Sequence, residues 1–530
     1  MLICGICGVP CRKNFVKRGR KTLTFAVSAH KMCKRFFNNG FTMLSLKEKL
    51  KKFMQPVDMR VGKEWKVLIL FSLPIIFSYL LQQVYIISDA AICGQTLSSD
   101  EVAGVNDVSS LIFIFLQFAF GCTAGFGVIT SNRFGEGDES GVRRSFAAQI
   151  VLSAVITVIL TVVSVLSLKH MFAWINVTPE NPEVFKAAYS YCLVIFAGIF
   201  AQMFYNFVCT VLRSVGDSVT PLVFLFASTL LNIGLDLLFI KVFKLGVIGA
   251  AAATVVAQGL STLACFVYTF AKYKNLRLKK EDFRFGFDEL KRHLVQGVPL
   301  GLQFSVLAVG IIVMQGELIK FDLSPEGIMA AGNPAQNGYG AACKLGNLLM
   351  SPMNAFGAGV LSFTAQNFGA REYGRIRRGT AQATLIVIVM YVLLSGCGLL
   401  LTIGGTYQRI FLSADKITPE SIWFGNTYLY IALSFYFMLG LLFVWRSGAQ
   451  GVGKPSFAFF AGTAELVARI LFCLLLPQAV NGGAVNSEAS AAAFVALCIA
   501  DPVAWLSAII ILAYPFVRYN LLQKYKENKN

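Results

Sequence analysis

Ser78, Gln82, Tyr85 and Asp89 follow one another at steps of four, three and four residues in an otherwise apolar stretch. On an α-helix these steps stack the four side chains on one face. A carboxylate in such a helix costs about 2.5–3.5 kcal/mol at mid-membrane on insertion scales, so it calls for a polar or ionic partner. Asn232 and Asp236, four apart in a second apolar stretch, also share a face. Two carboxylates and an amide oxygen make the oxygen-rich surroundings that a hard monovalent cation takes, with no soft ligand for a transition metal. Thr254 ends the run Gly249-Ala250-Ala251-Ala252-Ala253-Thr254 and adds a hydroxyl, while the alanines let another helix come close. The same carboxylates, withdrawn from water, gain proton affinity, so the set can alternate between proton and Na⁺ at Asp89, Asn232, Asp236 and Thr254.

The remaining charges within apolar stretches are few. Glu465 precedes Arg469 by four residues, an order that suits a buried intrahelical pair positioning the helix, with substrate contact as the alternative. Asp501-Pro502 frees backbone carbonyls one turn back and reads equally as a hinge or as a packing feature. Lys344 has no partner in its own stretch and is available to neutralise one of the acids. Glu317 lies near the end of its stretch and snorkels. Asp107 reads as a helix cap. Pro74 can bend its helix below the polar stripe.

The elements that must hold these residues are membrane helices. Of 530 residues, 56% are hydrophobic and 14% charged, and the mean hydropathy is +0.64. Twelve spans follow: 67–92, 108–131, 146–168, 187–212, 221–243, 247–271, 298–319, 339–366, 380–403, 423–446, 456–477 and 491–517. With the amino terminus inside, and with Lys241 and Arg446 at the ends of their spans counted with the adjoining loops, 38 Lys and Arg fall on the cytoplasmic side, 7 on the other, and Lys344 and Arg469 within spans. The positive-inside rule asks for that division, with both termini cytoplasmic.

Residues 1–66 carry 16 basic and 3 acidic side chains, or 13 of the 19 net positive charges. They read as a disordered cytoplasmic tail or as the result of a start set too far upstream of Met43 or Met59, with an organelle transit peptide as the lesser alternative. The net charge therefore records tail and loops and not a nucleic-acid surface. Cys4, Cys7 and Cys11 lack a second ligand pair at zinc-site spacing, so neither a metal nor a disulfide framework is expected. His30, His170 and His293 lie outside the twelve spans, which argues against an intramembrane His base and against an enzyme.

The chain repeats itself. Arg133-Phe134-Gly135 with Arg143-Arg144 returns 234 residues later as Asn367-Phe368-Gly369 with Arg377-Arg378, and Pro74 has a counterpart in Pro299. Six spans per repeat put both halves in the same orientation, with a natural site between or within the lobes.

Taken as a set, Gln82-x-x-Tyr85-x-x-x-Asp89 after Pro74, Arg213-Ser-x-Gly216-Asp217-x-x-Thr220-Pro221, Asn232-x-x-x-Asp236, the run ending at Thr254 and Gln366-Asn367-x-Gly369-Ala370 resemble the multidrug and toxic compound extrusion (MATE) transporters across roughly residues 67–517. The set is similar to the bacterial DinF-like branch. That resemblance implies a cation or proton site at Asp89, Asn232, Asp236 and Thr254, with Ala250 where a backbone oxygen contributes, Tyr191 nearby, and Pro74 at the responding helix bend. The NorM-like branch has acids midway along helix seven and in helix ten; here the middle of span seven is Val306-Leu307-Ala308 and span ten has no acid, so a second cation site is not expected.

The expected protein is an all-α polytopic membrane protein of twelve transmembrane helices in two parallel six-helix repeats. Its parts are the tail 1–66, an N-lobe 67–272, a cytoplasmic connector 273–296, a C-lobe 297–518 and a tail 519–530. The resemblance implies a monomeric antiporter of the plasma (inner) membrane that moves small organic cations or other amphipaths against Na⁺ or H⁺ without a cofactor. A lipid-linked oligosaccharide flippase is the alternative, weakened because only Lys344 and Arg469 are available to hold a pyrophosphate.

Overall fold

Apolar runs closed by polar caps set the helices of this protein. The structure is a computed structural model and describes residues 55–522 apart from 176 and 178; what the sequence leads one to expect of residues 1–54 and 523–530 lies outside the described residues. Helix α1 is Glu64–Thr96 and α2 is Ser99–Glu136. At the start of α2 the Glu101 N–H donates to Ser98 Oγ at 3.3 Å and the Ser98 N–H donates to Glu101 Oε2 at 3.0 Å, a reciprocal cap. Asp107, expected as a cap, is therefore inside α2, because the chain turns helical at Ser99.

Helix α3 is Glu139–Trp174. The fourth span is broken: α4 (Pro182–Ala197) and α5 (Ile199–Ser214) meet at Gly198 with a bend of 43°. A Cβ at Gly198 would strike Val255, so only glycine lets the bend come that close to its neighbour. Helix α6 (Val219–Asp236) runs on into a π-helical turn, Leu237–Val242, and α7 is Gly246–Lys272. The second half comprises α8 (Phe287–Ile319), α9 (Pro334–Gly369), α10 (Tyr373–Thr402), α11 (Pro419–Gly451), α12 (Pro455–Asn481) and α13 (Ala491–Pro515). Residues 287–296, expected as connector, form the first turns of α8. Among the described residues, eleven helices are long and apolar enough to cross a membrane, or twelve with α4 and α5 taken as one bent span.

Asp217 links α5, α6 and α7. Its carboxylate accepts from the Thr220 N–H at 2.9 Å, the Thr220 hydroxyl at 2.6 Å, Lys272 Nζ at 3.0 Å and the Tyr273 hydroxyl at 2.5 Å. Burial alone would raise this carboxyl; the Thr220 and Tyr273 bonds outweigh it and hold the group below its ordinary value.

Two large apolar cores form, with smaller clusters beside them. One gathers α2, α3, α4 and α5 around Phe126, Phe196 and Met203; the other gathers α9, α11 and α13 around Phe356, Leu433 and Leu497. The lower part of α1, with Leu68, Phe71 and Ile75, belongs to the second core, whereas its polar upper part packs on α6.

Glycines make the seam between the halves. Gly121 and Gly125 of α2 lie against the backbone at Gly301 and Gly297 of α8, and Gly359 of α9 lies against Ser72 of α1. The contacts of Gly121 and Gly125 with Gly301 and Gly297 are small-xxx-small contacts, in which missing side chains let backbones touch. Residues 56–63, expected as part of a loose tail, instead pack across both halves. The Val57 N–H donates to the Gly216 carbonyl at 2.9 Å. Buried Met59 gives its carbonyl to Asn367 Nδ2 and Arg375 Nη2, each at 3.1 Å, and Arg60 Nη1 donates to the Gly135 carbonyl at 3.2 Å.

Candidate functional site

The polar stripe of α1 meets α6 and α7 inside the first half. Asp236 closes the α-helical part of α6 and is wholly buried; Asn232, one turn earlier, is buried as well. Asp89 of α1 reaches the same place, and the carboxyls of Asp89 and Asp236 are near enough to bear on each other's charge. Among the described residues, no hydrogen-bond donor reaches either oxygen of Asp236, Oδ1 of Asp89 or Oδ1 of Asn232. Two unit charges of one sign about 4 Å apart repel by roughly 4 kcal/mol at an effective dielectric constant of 20, so a proton or a cation between such carboxyls is strongly favoured.

Thr254 ties the set together. Its Oγ1 lies 3.1 Å from the Tyr85 hydroxyl and accepts from Asn232 Nδ2 at 3.4 Å. Ala250 packs with Cys93 and Ile240, and Tyr191 of α4 lies against that cluster. The Ser78 hydroxyl donates to the Pro74 carbonyl at 2.9 Å within α1. Gln82, Tyr85 and Asn232 line a narrow chamber of about 30 Å³ together with Gln202, Ser228 and Gln258. The last three went unremarked in the sequence, although Ser228 is four residues before Asn232 and so on its face. The π-helical turn after Asp236, a device frequent at functional sites, had no signal in residue spacing.

The second half holds a different arrangement. Arg446 of α11 meets Glu465 at 3.0 Å, Arg469 meets Glu465 at 3.4 Å and Asp501 at 2.9 Å, and the Tyr428 hydroxyl donates to Asp501 at 3.1 Å. Two cations and two anions cancel there, all buried. The expected Glu465–Arg469 pair is present, and Asp501 serves it; α13 passes through Pro502 as one helix. Lys344 does not neutralise an acid: it is exposed on α9 and makes no ion pair among the described residues. Glu317 does not simply snorkel, since it is buried and pairs with Lys320 at 2.6 Å.

A family model described as MatE matches residues 74–238 and 327–475. The chain belongs to the MatE family. Its matched segments contain Asp89, Asn232 and Asp236 in the first half and Glu465 and Arg469 in the second. This MatE chain is 28% identical over 406 residues to "Probable multidrug resistance protein YpnP" of Bacillus subtilis (strain 168), covering 76% of this chain and 85% of that protein. It is 25% identical over 451 residues to "Probable multidrug resistance protein NorM" of Thermotoga maritima, covering 76% and 91%. Its fold matches a solved structure described as the outward-facing conformation of a multidrug resistance MATE family transporter of the MOP superfamily, with a TM-score of 0.75 at 18% identity over 88% of this chain and 98% of that one. The protein is thus a multi-pass membrane transporter and not an enzyme.

His293 corrects one expectation about this MatE chain. It is buried within α8, with Nε2 2.8 Å from the Ser145 hydroxyl and Nδ1 2.8 Å from the Glu289 carbonyl oxygen. A serine, a histidine and a glutamate do come together, but Ser145 is fully enclosed and its hydroxyl is 2.8 Å from Thr130 Oγ1. No acyl group can reach it, and the cluster joins α2, α3 and α8.

Proposed function

We propose that this transporter exports organic cations, drugs or other amphipathic compounds from the cell in exchange for Na⁺ or H⁺. The observation that carries this reading is the Asp89–Asp236 carboxyl pair, four of whose surrounding acceptor oxygens meet no donor. Asp89, Asn232, Asp236 and Thr254 hold the coupling ion; Asn232 and Thr254 favour Na⁺, because neutral oxygens complete a cation's shell without adding charge. Ion binding there acts by population shift. It favours one arrangement of α1 against α6 and α7, and can drive lobe movement only through its different affinity for the two states. Pro74 and the carbonyls it frees give α1 its bending point.

The moving bodies in this proposal are the N-lobe 67–272 and the C-lobe 297–518, which rock about the glycine seam in a monomer. The protein works in the plasma (inner) membrane with both termini cytoplasmic, and the seam closes the cytoplasmic face. Against the flippase alternative, Arg446 and Arg469 are both bound to acids, so the second half offers no cluster of free basic groups for a pyrophosphate among the described residues. Efflux of a dye panel from membrane vesicles under separately imposed Na⁺ and proton gradients tests the reading: one gradient should drive efflux, and dye movement under neither would overturn it.

A further inference from the structure

A second, narrow chamber of about 30 Å³ adjoins the first and shares Gln82, Tyr205 and Leu225 with it. Its polarity is opposite. Around the carboxyl pair the buried groups without a partner are acceptors, Asp89 Oδ1, Asn232 Oδ1 and both oxygens of Asp236; on the second chamber they are donors, Arg213 Nε and Asn206 Nδ2. Asn206 and Arg213 are seven residues apart on α5 and share a face. Arg213 makes no ion pair among the described residues. The acid nearest to it in sequence, Asp217, is occupied by Lys272, Thr220 and Tyr273.

An unpaired guanidinium with a buried N–H is costly to keep, and its fork of donors fits carboxylate, phosphate or sulfonate oxygens. Tyr79 and Phe120 supply apolar wall beside it. We propose that this chamber binds the anionic group of an amphipath, a carboxylate, phosphate or sulfonate, on Arg213 with Asn206 as second donor. The proposal deepens the transporter reading and rests on it for its consequence: substrates extend to zwitterionic and anionic amphipaths, whose anion sits beside the ion site on the same face of α1.

Binding is measured at equilibrium, without a gradient, on the purified full-length protein, using fluorescent dansylundecanoate and its uncharged methyl ester. The wild type should bind the carboxylate tighter than the ester by about tenfold or more, as a charge-assisted bond predicts. Arg213→Gln should reduce that preference to none, Asn206→Leu should weaken it several-fold, and Arg213→Lys should retain part of it. Should Arg213→Gln fail to fold, Asn206→Leu and the wild-type comparison carry the test. In nanodiscs, displacement of the probe by phosphatidylglycerol but not phosphatidylcholine, weakened in Arg213→Lys or Asn206→Leu, assigns the site to a lipid phosphate; absence of displacement assigns it to a soluble amphipath. Equal wild-type binding of acid and ester, or an undiminished preference in Arg213→Gln, would overturn the proposal. Carboxylate binding that persists when neither gradient drives transport would remove the transporter reading and leave the site standing.

Discussion

Gly135 and Gly369 hold the same place in the two sequence repeats, and each lies against the backbone of the other's helix. Gly135 of α2 abuts the Gln366 carbonyl of α9, while Gly369 of α9 abuts the Asn132 carbonyl of α2. Asn132 and Gln366 are themselves repeat counterparts, so the contact is exchanged about a local twofold relation. Neither glycine leaves room for a Cβ. Gly135→Val should therefore cost the closed seam about 1–3 kcal/mol by overpacking. Spin labels at the ends of α2 and α9 should move apart in the variant; an unchanged distance distribution would contradict the role of this contact.

Asp217 should make stability depend on pH in a definite direction. Its folded-state pKa is depressed below the ordinary value of 3.8, so its contribution is present above that pH and is lost as pH falls through the folded-state value. Asp217→Asn should lower thermal stability at pH 7 by about 1–3 kcal/mol, as loss of charge-assisted bonds from Lys272, Thr220 and Tyr273 implies. The gap between variant and wild type should narrow as pH drops below 3.8. A gap that widens with acid would refute this account of Asp217.

The Arg446–Glu465–Arg469–Asp501 cluster should respond asymmetrically to substitution. Glu465→Gln leaves Arg446 buried without its anion and should cost about 3–5 kcal/mol, whereas Arg446→Met with Glu465→Met together should cost less. Thermal unfolding in detergent compares the two, and a double variant weaker than the single one would count against a charge-balance role.

Lys344→Ala should be silent. The side chain is exposed and without an ion pair among the described residues, so stability should change by no more than about 0.5 kcal/mol. Ion-driven efflux should keep its wild-type rate, and a large loss would return Lys344 to the site.

What the sequence disclosed was what a single helix encodes. The stripe Ser78, Gln82, Tyr85, Asp89 and the pair Asn232, Asp236 were legible because helical spacing alone puts them on one face, and the structure brings both together. The Glu465–Arg469 pair was legible for the same reason. Arg446, nineteen residues before Glu465 on another helix, was not, because its partner is set by how α11 packs on α12. The break at Gly198 was hidden within a continuous apolar run, and the apposed Gly121, Gly125, Gly297 and Gly301 gained meaning only when α2 met α8. His293 was placed outside the membrane spans because polar residues before it masked the true start of α8.

The carboxyl pair is the centre of the functional account, and transport by Asp236→Asn in vesicles tests it most directly. With a dye substrate and Na⁺ and proton gradients imposed separately, the account predicts that this variant folds and inserts but loses gradient-driven efflux. Efflux at the wild-type rate with unchanged ion dependence would contradict it.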